Sequence, residues 1–141
     1  MPERAGVVVV DAANVVGARP DGWWRDRPGA AGRLVAQVAA ARAAGAEGLA
    51  GARVVVVLEG RAAAAETADA EDPGAVEVLR APRDGDAAIV DLVSALAGPP
   101  GEGGPARVVV VTSDRELRRR VAALGATTRG AGWLRDLLDA R

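Results

Sequence analysis

The sequence predicts an α/β protein in which a central, mostly parallel sheet of four or five strands lies between two layers of helices. Three short valine-rich runs, at residues 7–10, 54–58 and 108–111, carry this prediction. Runs this short and this rich in β-branched residues are typical of strands that are buried on both faces of a parallel sheet. Segments with helical spacing alternate with these runs, which also favours a parallel α/β architecture in three α/β/α layers.

The first half of the chain is predicted to contain three strands and one long helix. Strand one covers residues 6–10 and leads into a glycine- and proline-containing loop that carries Trp23 and Trp24. Asp26 can cap the N-terminus of a helix over residues 28–44, which Gly45 ends. The remaining elements of this half are strand two at 53–58, an alanine- and acid-rich connection at 60–74, and strand three at 75–79.

The second half is predicted to alternate helices and strands. Asp84 stands where an N-cap belongs, before a helix with apolar residues between 89 and 96. Glycines and prolines make residues 98–105 a loop, and we expect it to be the most flexible part of the chain. The elements that follow are strand four at 107–111, a helix at 115–124, a short fifth strand at 126–129 and a terminal helix at 133–140.

Composition restricts the chemistry that this chain can perform. Its 141 residues suit a single domain over residues 1–141, and they include no Cys, no His and no Lys, so that all 18 cationic side chains are Arg. A Ser-His-Asp triad, a thiolate or imidazole metal site, a Schiff base and the lysine of a P-loop are therefore excluded. Carboxylates without His or Cys favour hard, oxygen-preferring cations such as Mg²⁺ or Mn²⁺.

Charge and hydropathy indicate where the protein works and how it meets a partner. The formal net charge is −1, so a nucleic acid would have to be held by a local group of arginines. The N-terminus lacks the apolar stretch of a signal peptide, and no apolar segment approaches the 18 residues of a membrane span. We predict a cytoplasmic protein without a membrane partner.

Carboxylates follow three of the predicted strands. Asp11 comes directly after strand one, Glu59 directly after strand two, and Asp114 three residues after the end of strand four. Ligands of parallel sheets bind in the crevice outside the carboxyl ends of the strands, so these three acids are expected to meet there. Each also has an ordinary structural interpretation. Asp11 and Asn14 could form an Asx-turn, Ser113 and Glu116 have the spacing of a capping box, and Glu59 could be part of a simple turn.

A further acidic pair begins a predicted helix. Asp84 is interpreted as a cap, whereas Asp86 in the first turn would face the same edge as Asp11 if strands one and four are neighbours. Acids that are brought close together repel and raise each other's pKa, and a divalent cation relieves that repulsion. The gathered acids therefore indicate a metal site that could activate water and stabilise a leaving oxygen.

Arginines and tryptophans could provide a surface that contacts RNA. Arg115, Arg118 and Arg119 have the spacing of one helix face, directly after Asp114. Arg forks suit phosphate, and an exposed Trp could stack on a base. A charged helix face is more often simply solvated, and Trp is more often part of the core. The loop candidates are the tryptophan pair and the arginines beside it, Arg19, Arg25 and Arg27.

The acidic motifs resemble the YacP-like NYN domains of the PIN-like nuclease superfamily. Val-Val-Val-Val-Asp-Ala-Ala-Asn-Val-Val at 7–16, Trp24, Leu-Glu-Gly at 58–60, Asp-Ala-Ala-Ile at 86–89 and Val-Thr-Ser-Asp at 111–114 carry the resemblance in chain order. It runs from residue 7 to about residue 138, and the Asp-x-x-Asn and Thr-Ser-Asp pieces are the most specific. It implies a central parallel sheet, a Mg²⁺- or Mn²⁺-dependent site and endoribonuclease activity.

The resemblance also implies roles for particular residues. Asp11, Asp86 and Asp114 match the metal-binding acids of the family, Asn14 matches its polar partner, and Ser113 lies beside the site. Two motifs depart from the family pattern. This chain has Leu-Glu-Gly at 58–60 where relatives often have Phe-Asp-Gly, and it has Gly85 where they often have Ala.

The leading hypothesis is a metal-dependent endoribonuclease. Asp11, Asp86 and Asp114 would hold the metal with support from Glu59, and Asn14 would help to position water or phosphate. RNA would be the partner, and the chain could act as a monomer or a homodimer. The alternatives are an inactive RNA-binding module of the same fold and an α/β enzyme that acts on a small phosphorylated molecule. The residues that would contact the substrate are Ser113, Arg115, Arg118, Arg19 and Trp24.

Overall fold

A five-stranded, all-parallel sheet forms the centre of the protein. The computed structural model describes residues 6–18, 22–65, 76–81, 83–97 and 107–140. The strands lie side by side in the order β3-β2-β1-β4-β5, which confirms the predicted parallel sheet. Their bounds are β1 Val7–Asp11, β2 Arg53–Glu59, β3 Glu77–Ala81, β4 Val108–Val111 and β5 Thr127–Arg129.

Helices cover both faces of this sheet and complete the predicted three-layer sandwich. Helices α1, α2 and α5 pack on one face, and α3 and α4 pack on the other. The 3₁₀ segments Trp23–Arg25 and Gly60–Ala64 follow α1 and β2. The bounds of the helices are α1 Ala12–Gly17, α2 Arg27–Ala43, α3 Gly85–Ala97, α4 Arg115–Ala123 and α5 Ala131–Asp139.

The valine runs supply both halves of the core. Side chains alternate across a strand, so Val8 and Val10 pack toward α2 while Val7 and Val9 pack toward α3 and α4. All four are nearly inaccessible to solvent. Continuous apolar runs are required here because neither face of the sheet meets water.

The strand order places a topological switch point between β1 and β4. From β1 the chain builds outward through β2 and β3, and it then returns to place β4 on the opposite side of β1. The connection that leaves β1 runs over one face of the sheet and the connection that leaves β4 runs over the other, since α1 and α2 lie on one face and α4 lies on the other. A crevice opens at such a point outside the strand ends, and ligands bind there.

Helix α1 is an element that the sequence analysis interpreted as a loop. It spans six residues, too few to establish a helical period, and contains two β-branched valines. It forms because Asp11 caps it and because Ala12, Val15 and Val16 recur at helical spacing and are buried against the core.

The other predicted elements are present, with small shifts at their ends. Asp26 caps α2 as predicted, since its carboxylate accepts a hydrogen bond from the amide of Gly29 at 3.0 Å. Strand β3 begins and ends two residues later than predicted, and α5 begins two residues earlier. The loop at 98–105 and residues 66–74 of the second connection lie outside the described residues.

The length and hydropathy of the helices bear on whether any of them could span a membrane. Within the described ranges, none of the helices combines the length and the apolar character needed to cross a bilayer.

Candidate active site

An acidic cavity of about 290 Å³ lies at the carboxyl ends of the strands, beside the switch point. The elements that line it are the end of β1, helix α1, the end of β2, and the segments that begin α3 and α4. The acidic side chains therefore lie together at the carboxyl edge of the parallel sheet, as the sequence predicts. Five carboxylates share the cavity with one amide side chain and one methyl group: Asp11, Glu59, Asp84, Asp86, Asp114, Asn14 and Ala13.

Asp11 is the most buried acid of the cavity. Only 6% of the residue is exposed. Its two carboxylate oxygens accept hydrogen bonds from the Thr112 hydroxyl at 2.9 Å and from the backbone amide of Asn14 at 3.4 Å. Burial raises the pKa of Asp11 from 3.8 to about 6, and the two hydrogen bonds oppose that rise. The negative charges of Asp86 and Glu59 raise this pKa further. Asp11 therefore occupies a position where a nearby positive charge would be strongly favoured.

Hydrogen bonds between neighbouring strand ends hold this part of the cavity in shape. The side-chain carbonyl of Asn14 accepts from the amide of Ser113 at 2.7 Å, and the Thr112 hydroxyl accepts from the amide of Asp114 at 3.2 Å. Because the same hydroxyl donates to Asp11, it connects the start of α4 to the end of β1. Asn14 is thus a bridge between α1 and the β4 end, in addition to lining the cavity.

The start of α4 differs from the predicted capping box. Asp114, not Ser113, is the N-cap, and its carboxylate accepts from the amide of Leu117 at 3.0 Å. The Ser113 hydroxyl instead accepts from the amide of Ala131 at 2.9 Å, which ties the site to α5. Glu116 pairs with Arg119 on the exposed side of α4. The capping-box prediction is wrong because a residue 18 positions away competes for the serine hydroxyl.

Glu59 is held against the N-terminus of α3. Its carboxylate accepts a hydrogen bond from the amide of Gly85 at 2.7 Å. A Cβ added at Gly85 would lie 2.8 Å from that carboxylate oxygen and 3.0 Å from the carboxyl carbon. The two departures from the family pattern therefore belong together. A glutamate reaches the helix only because residue 85 has no side chain in its way.

Substituting Gly85 and Glu59, singly and together, tests whether the glutamate depends on the glycine. We expect Gly85→Ala to destabilise the protein, because the new methyl group displaces the Glu59 carboxylate and leaves a helix amide without its partner. We expect Glu59→Asp to lose the same bond through its shorter reach. In the double variant the methyl group fills the space that the shorter acid vacates, so urea unfolding should give a coupling free energy of about 1 kcal/mol or more. Additive losses would contradict this account.

Asp86 faces the same group of charges from the first turn of α3. Burial raises the pKa of Asp86 above its usual value, and the negative charges of Asp114 and Glu59 raise it further. Asp84 adds to this rise in pKa, and it also accepts from the amide of Ala87 at 3.2 Å, as expected of a helix cap. Arg120 of α4 acts in the opposite direction and lowers the pKa of Asp86.

The donor set suits a hard divalent cation, although it does not form a closed cage. Every polar side chain of the cavity offers oxygen, as Mg²⁺ and Mn²⁺ prefer. Among the described residues, however, no three acidic side chains converge on a point where one ion could bind them all. Some of the acids accept hydrogen bonds from the protein instead. Asp11 accepts from the Thr112 hydroxyl, and Glu59 accepts from the backbone amide of Gly85. Mg²⁺ commonly retains several waters and needs only one or two carboxylates, so this arrangement fits a partly hydrated ion.

The predicted substrate contacts are placed less uniformly. Trp24 is 52% exposed, with the guanidinium of Arg25 at 5.9 Å from its ring. Arg118 donates to the Thr128 hydroxyl at 3.0 Å, so it braces α4 against β5. Arg115 is exposed at the start of α4, directly after Asp114. Arg19 lies outside the described residues.

Sequence reasoning missed three contributions to this site. In the sequence Thr112 is only part of the Thr-Ser-Asp motif, yet in the structure it is fully buried and bonds Asp11. Gly85 gives Glu59 access to α3. Arg120 lowers the pKa of Asp86, whereas the sequence points to Arg115 and Arg118 of the same helix. The joint departure of residues 59 and 85 from the family pattern is the sequence signal for the contact between Glu59 and the start of α3.

Comparisons with solved structures agree with the overall fold. The fold matches crystal structures of Rae1 (YacP) from Bacillus subtilis, with a TM-score of 0.65 at 23% identity, and of a tryptophan-to-leucine variant of that protein, with a TM-score of 0.64 at 24% identity. The matches cover 96% of this chain and 76% and 78% of those chains, respectively. No protein-family model and no curated protein sequence matches the chain. The chain has a YacP-like fold, as its motifs predict.

Proposed function

We propose that this protein is a metal-dependent endoribonuclease that hydrolyses phosphodiester bonds of RNA at the acidic cavity. The observation that carries the proposal is the group of five carboxylates at the switch point, of which Asp11 and Asp86 have raised pKa values. A surface that only bound RNA would gain nothing from acids that repel phosphate and each other. The YacP-like fold supports the proposal through the nuclease activity that the family resemblance implies.

The acids would have different roles in binding the metal ion, according to how deeply each is buried. Asp11 is the buried anchor, and Asp86 and Asp114 are half-buried and would reach the ion from the starts of α3 and α4. When bound, a divalent ion would activate water and stabilise the charge of the leaving oxygen. Glu59 would hold α3 in place through Gly85, and would contact the ion at most through water. Asn14 would keep the ends of α1 and β4 together around it.

Exposed groups at the edge of the cavity would contact the RNA backbone. Arg115 follows Asp114 at the mouth of the site, and Arg120 acts on Asp86 from the same helix. Guanidinium groups suit phosphate, and here they would also offset the negative charge of the acids. Ser113 is exposed beside the acids, and Trp24, which is about half exposed, would stack on a base farther along the RNA.

An RNA-binding module without activity is the second candidate. The absence of three converging acids among the described residues favours it, because a catalytic centre would be expected to hold its ion firmly. It predicts RNA binding that depends on salt and ignores EDTA, with no cleavage.

Incubation of the purified protein with a mixture of structured and single-stranded RNAs distinguishes the two candidates. We expect internal cleavage in Mn²⁺ or Mg²⁺ and none in EDTA, because the carboxylates alone repel phosphate. Restoring excess Mn²⁺ after EDTA should restore cleavage, which separates metal removal from damage to the protein. RNA that remains intact in Mn²⁺ and in Mg²⁺ while binding persists would reject the nuclease and favour the binding module.

A further inference from the structure

A second cavity adjoins the acidic one on the side of α1 and α2. Its volume is about 280 Å³, and Glu59 and Ala13 line both cavities. The two spaces therefore meet at the end of β2 and the start of α1. A ligand that occupied both would pass directly from the second cavity to the acids.

Small apolar side chains leave this space open. Folded proteins usually fill the gaps between packed elements with larger side chains. Here three elements, α1, α2 and the 3₁₀ segment Gly60–Ala64, all present small groups to one another, and the gap stays unfilled. The side chains that form this wall are Ala12, Ala13, Val16, Ala31 and Ala62.

Two arginines outnumber Glu59 in the lining of this cavity and give it a net charge opposite to that of its neighbour. Arg27 from the first turn of α2 and Arg83 from the segment before α3 both line it. A flat ligand with apolar faces would contact the methyl groups, while hydrogen-bond acceptors on its edge or an attached phosphate would meet the guanidinium groups. The volume is near the lower limit for ligand pockets, roughly 300 Å³, so the ligand is small.

We infer that this second cavity binds one unpaired nucleobase of the RNA, next to the phosphate that is cleaved at the acids. The inference rests on the proposed function and adds to it a site that holds a single base. A base in a duplex has both faces stacked and cannot enter, whereas an unpaired base can. The base would thereby place its own phosphate beside Glu59 and Asp11, between the arginines and the acids.

Filling the cavity is the direct kinetic test. Ala62→Leu puts a larger side chain into the space, and Ala64→Leu is its matched control, because Ala64 is exposed on the same 3₁₀ segment and does not line the cavity. On a short single-stranded RNA we expect Ala62→Leu to lower kcat/KM about tenfold, the scale of one lost base contact, and Ala64→Leu to leave it unchanged. Equal rates for both leucine variants would overturn the inference.

An abasic scan identifies the base. Wild-type protein should lose about tenfold in kcat/KM when the base at one position beside the cleaved bond is removed. Ala62→Leu should be insensitive to the same removal, since its cavity is already filled. If Ala62→Leu fails to fold, Arg83→Gln should weaken cleavage relative to Arg61→Gln, whose arginine is exposed on the 3₁₀ segment outside the cavity. Sensitivity that is spread evenly over all positions would contradict a dedicated base site.

A binding measurement separates failure of this inference from failure of the proposed function. The ¹³C-labelled methyl signal of Ala62 is followed in Ca²⁺ while an eight-nucleotide RNA or its fully abasic analogue is added. A shift with the first and not with the second supports the base site, even if no RNA is ever cleaved. No shift with either, while Mn²⁺-dependent cleavage is normal, overturns the base site and leaves the nuclease standing.

Discussion

Asp11→Asn should reduce Mn²⁺-dependent cleavage of RNA by at least roughly 100-fold, because loss of even an indirect partner of a metal ligand typically costs 10–100-fold. The substitution removes the most buried negative charge of the cavity and preserves the size of the side chain. An asparagine at position 11 can still accept a hydrogen bond from the backbone amide of Asn14 and contact the Thr112 hydroxyl, so the fold should persist. Initial rates on single-stranded RNA, together with circular dichroism, measure both expectations.

Asp91→Asn is the matched control for this variant. Asp91 is an exposed aspartate of α3, the helix that also carries Asp86, and it does not line the acidic cavity. Its substitution should leave the cleavage rate within about twofold of wild type, since surface changes of this kind usually alter stability by less than about 0.5 kcal/mol. Normal cleavage by Asp11→Asn in Mn²⁺ would show that this acid is not an anchor of the metal.

Asp11→Asn should also stabilise the metal-free protein at neutral pH, the reverse of its effect on cleavage. The pKa of Asp11 is 3.8 ordinarily and about 6 in the folded protein, so the folded state binds this proton more tightly. Below pH 3.8 the acid is neutral in both states and costs no stability. Stability is lost as pH rises from 3.8 to about 6, and the full penalty above pH 6 is about 3 kcal/mol.

Urea unfolding in EDTA across pH 4 to 8 measures this penalty. The difference in unfolding free energy between Asp11→Asn and wild type should grow with pH and level off above pH 6, because titrating groups outside the cavity affect both proteins alike. Asp91→Asn should show no such trend. Excess Mn²⁺ at pH 7.5 should stabilise wild type far more than Asp11→Asn, since binding to the folded state alone raises its stability. A difference that does not vary with pH would contradict the cost assigned to ionised Asp11.

Much of the site could be derived before the structure because parallel strands end on a common edge. Valine runs placed Asp11, Glu59 and Asp114 at three such ends, and these acids line one cavity. Asp86 required the additional expectation that strands one and four are neighbours, which the pairing of β1 with β4 confirms. The metal that would join the acids stays a prediction.

Local sequence patterns were enough to predict the sheet, the helices of ordinary length and the edge at which the acids meet. These features follow from local patterns, since a run of valines can be buried only by covering both faces of a strand. Only the tertiary structure decided which donor each side chain would bond. Ser113 bonds the amide of Ala131 instead of capping α4, and Glu59 bonds the amide of Gly85 across 26 positions of the chain. Such choices depend on the distance between groups that are remote in sequence, and no local pattern of residues contains that distance.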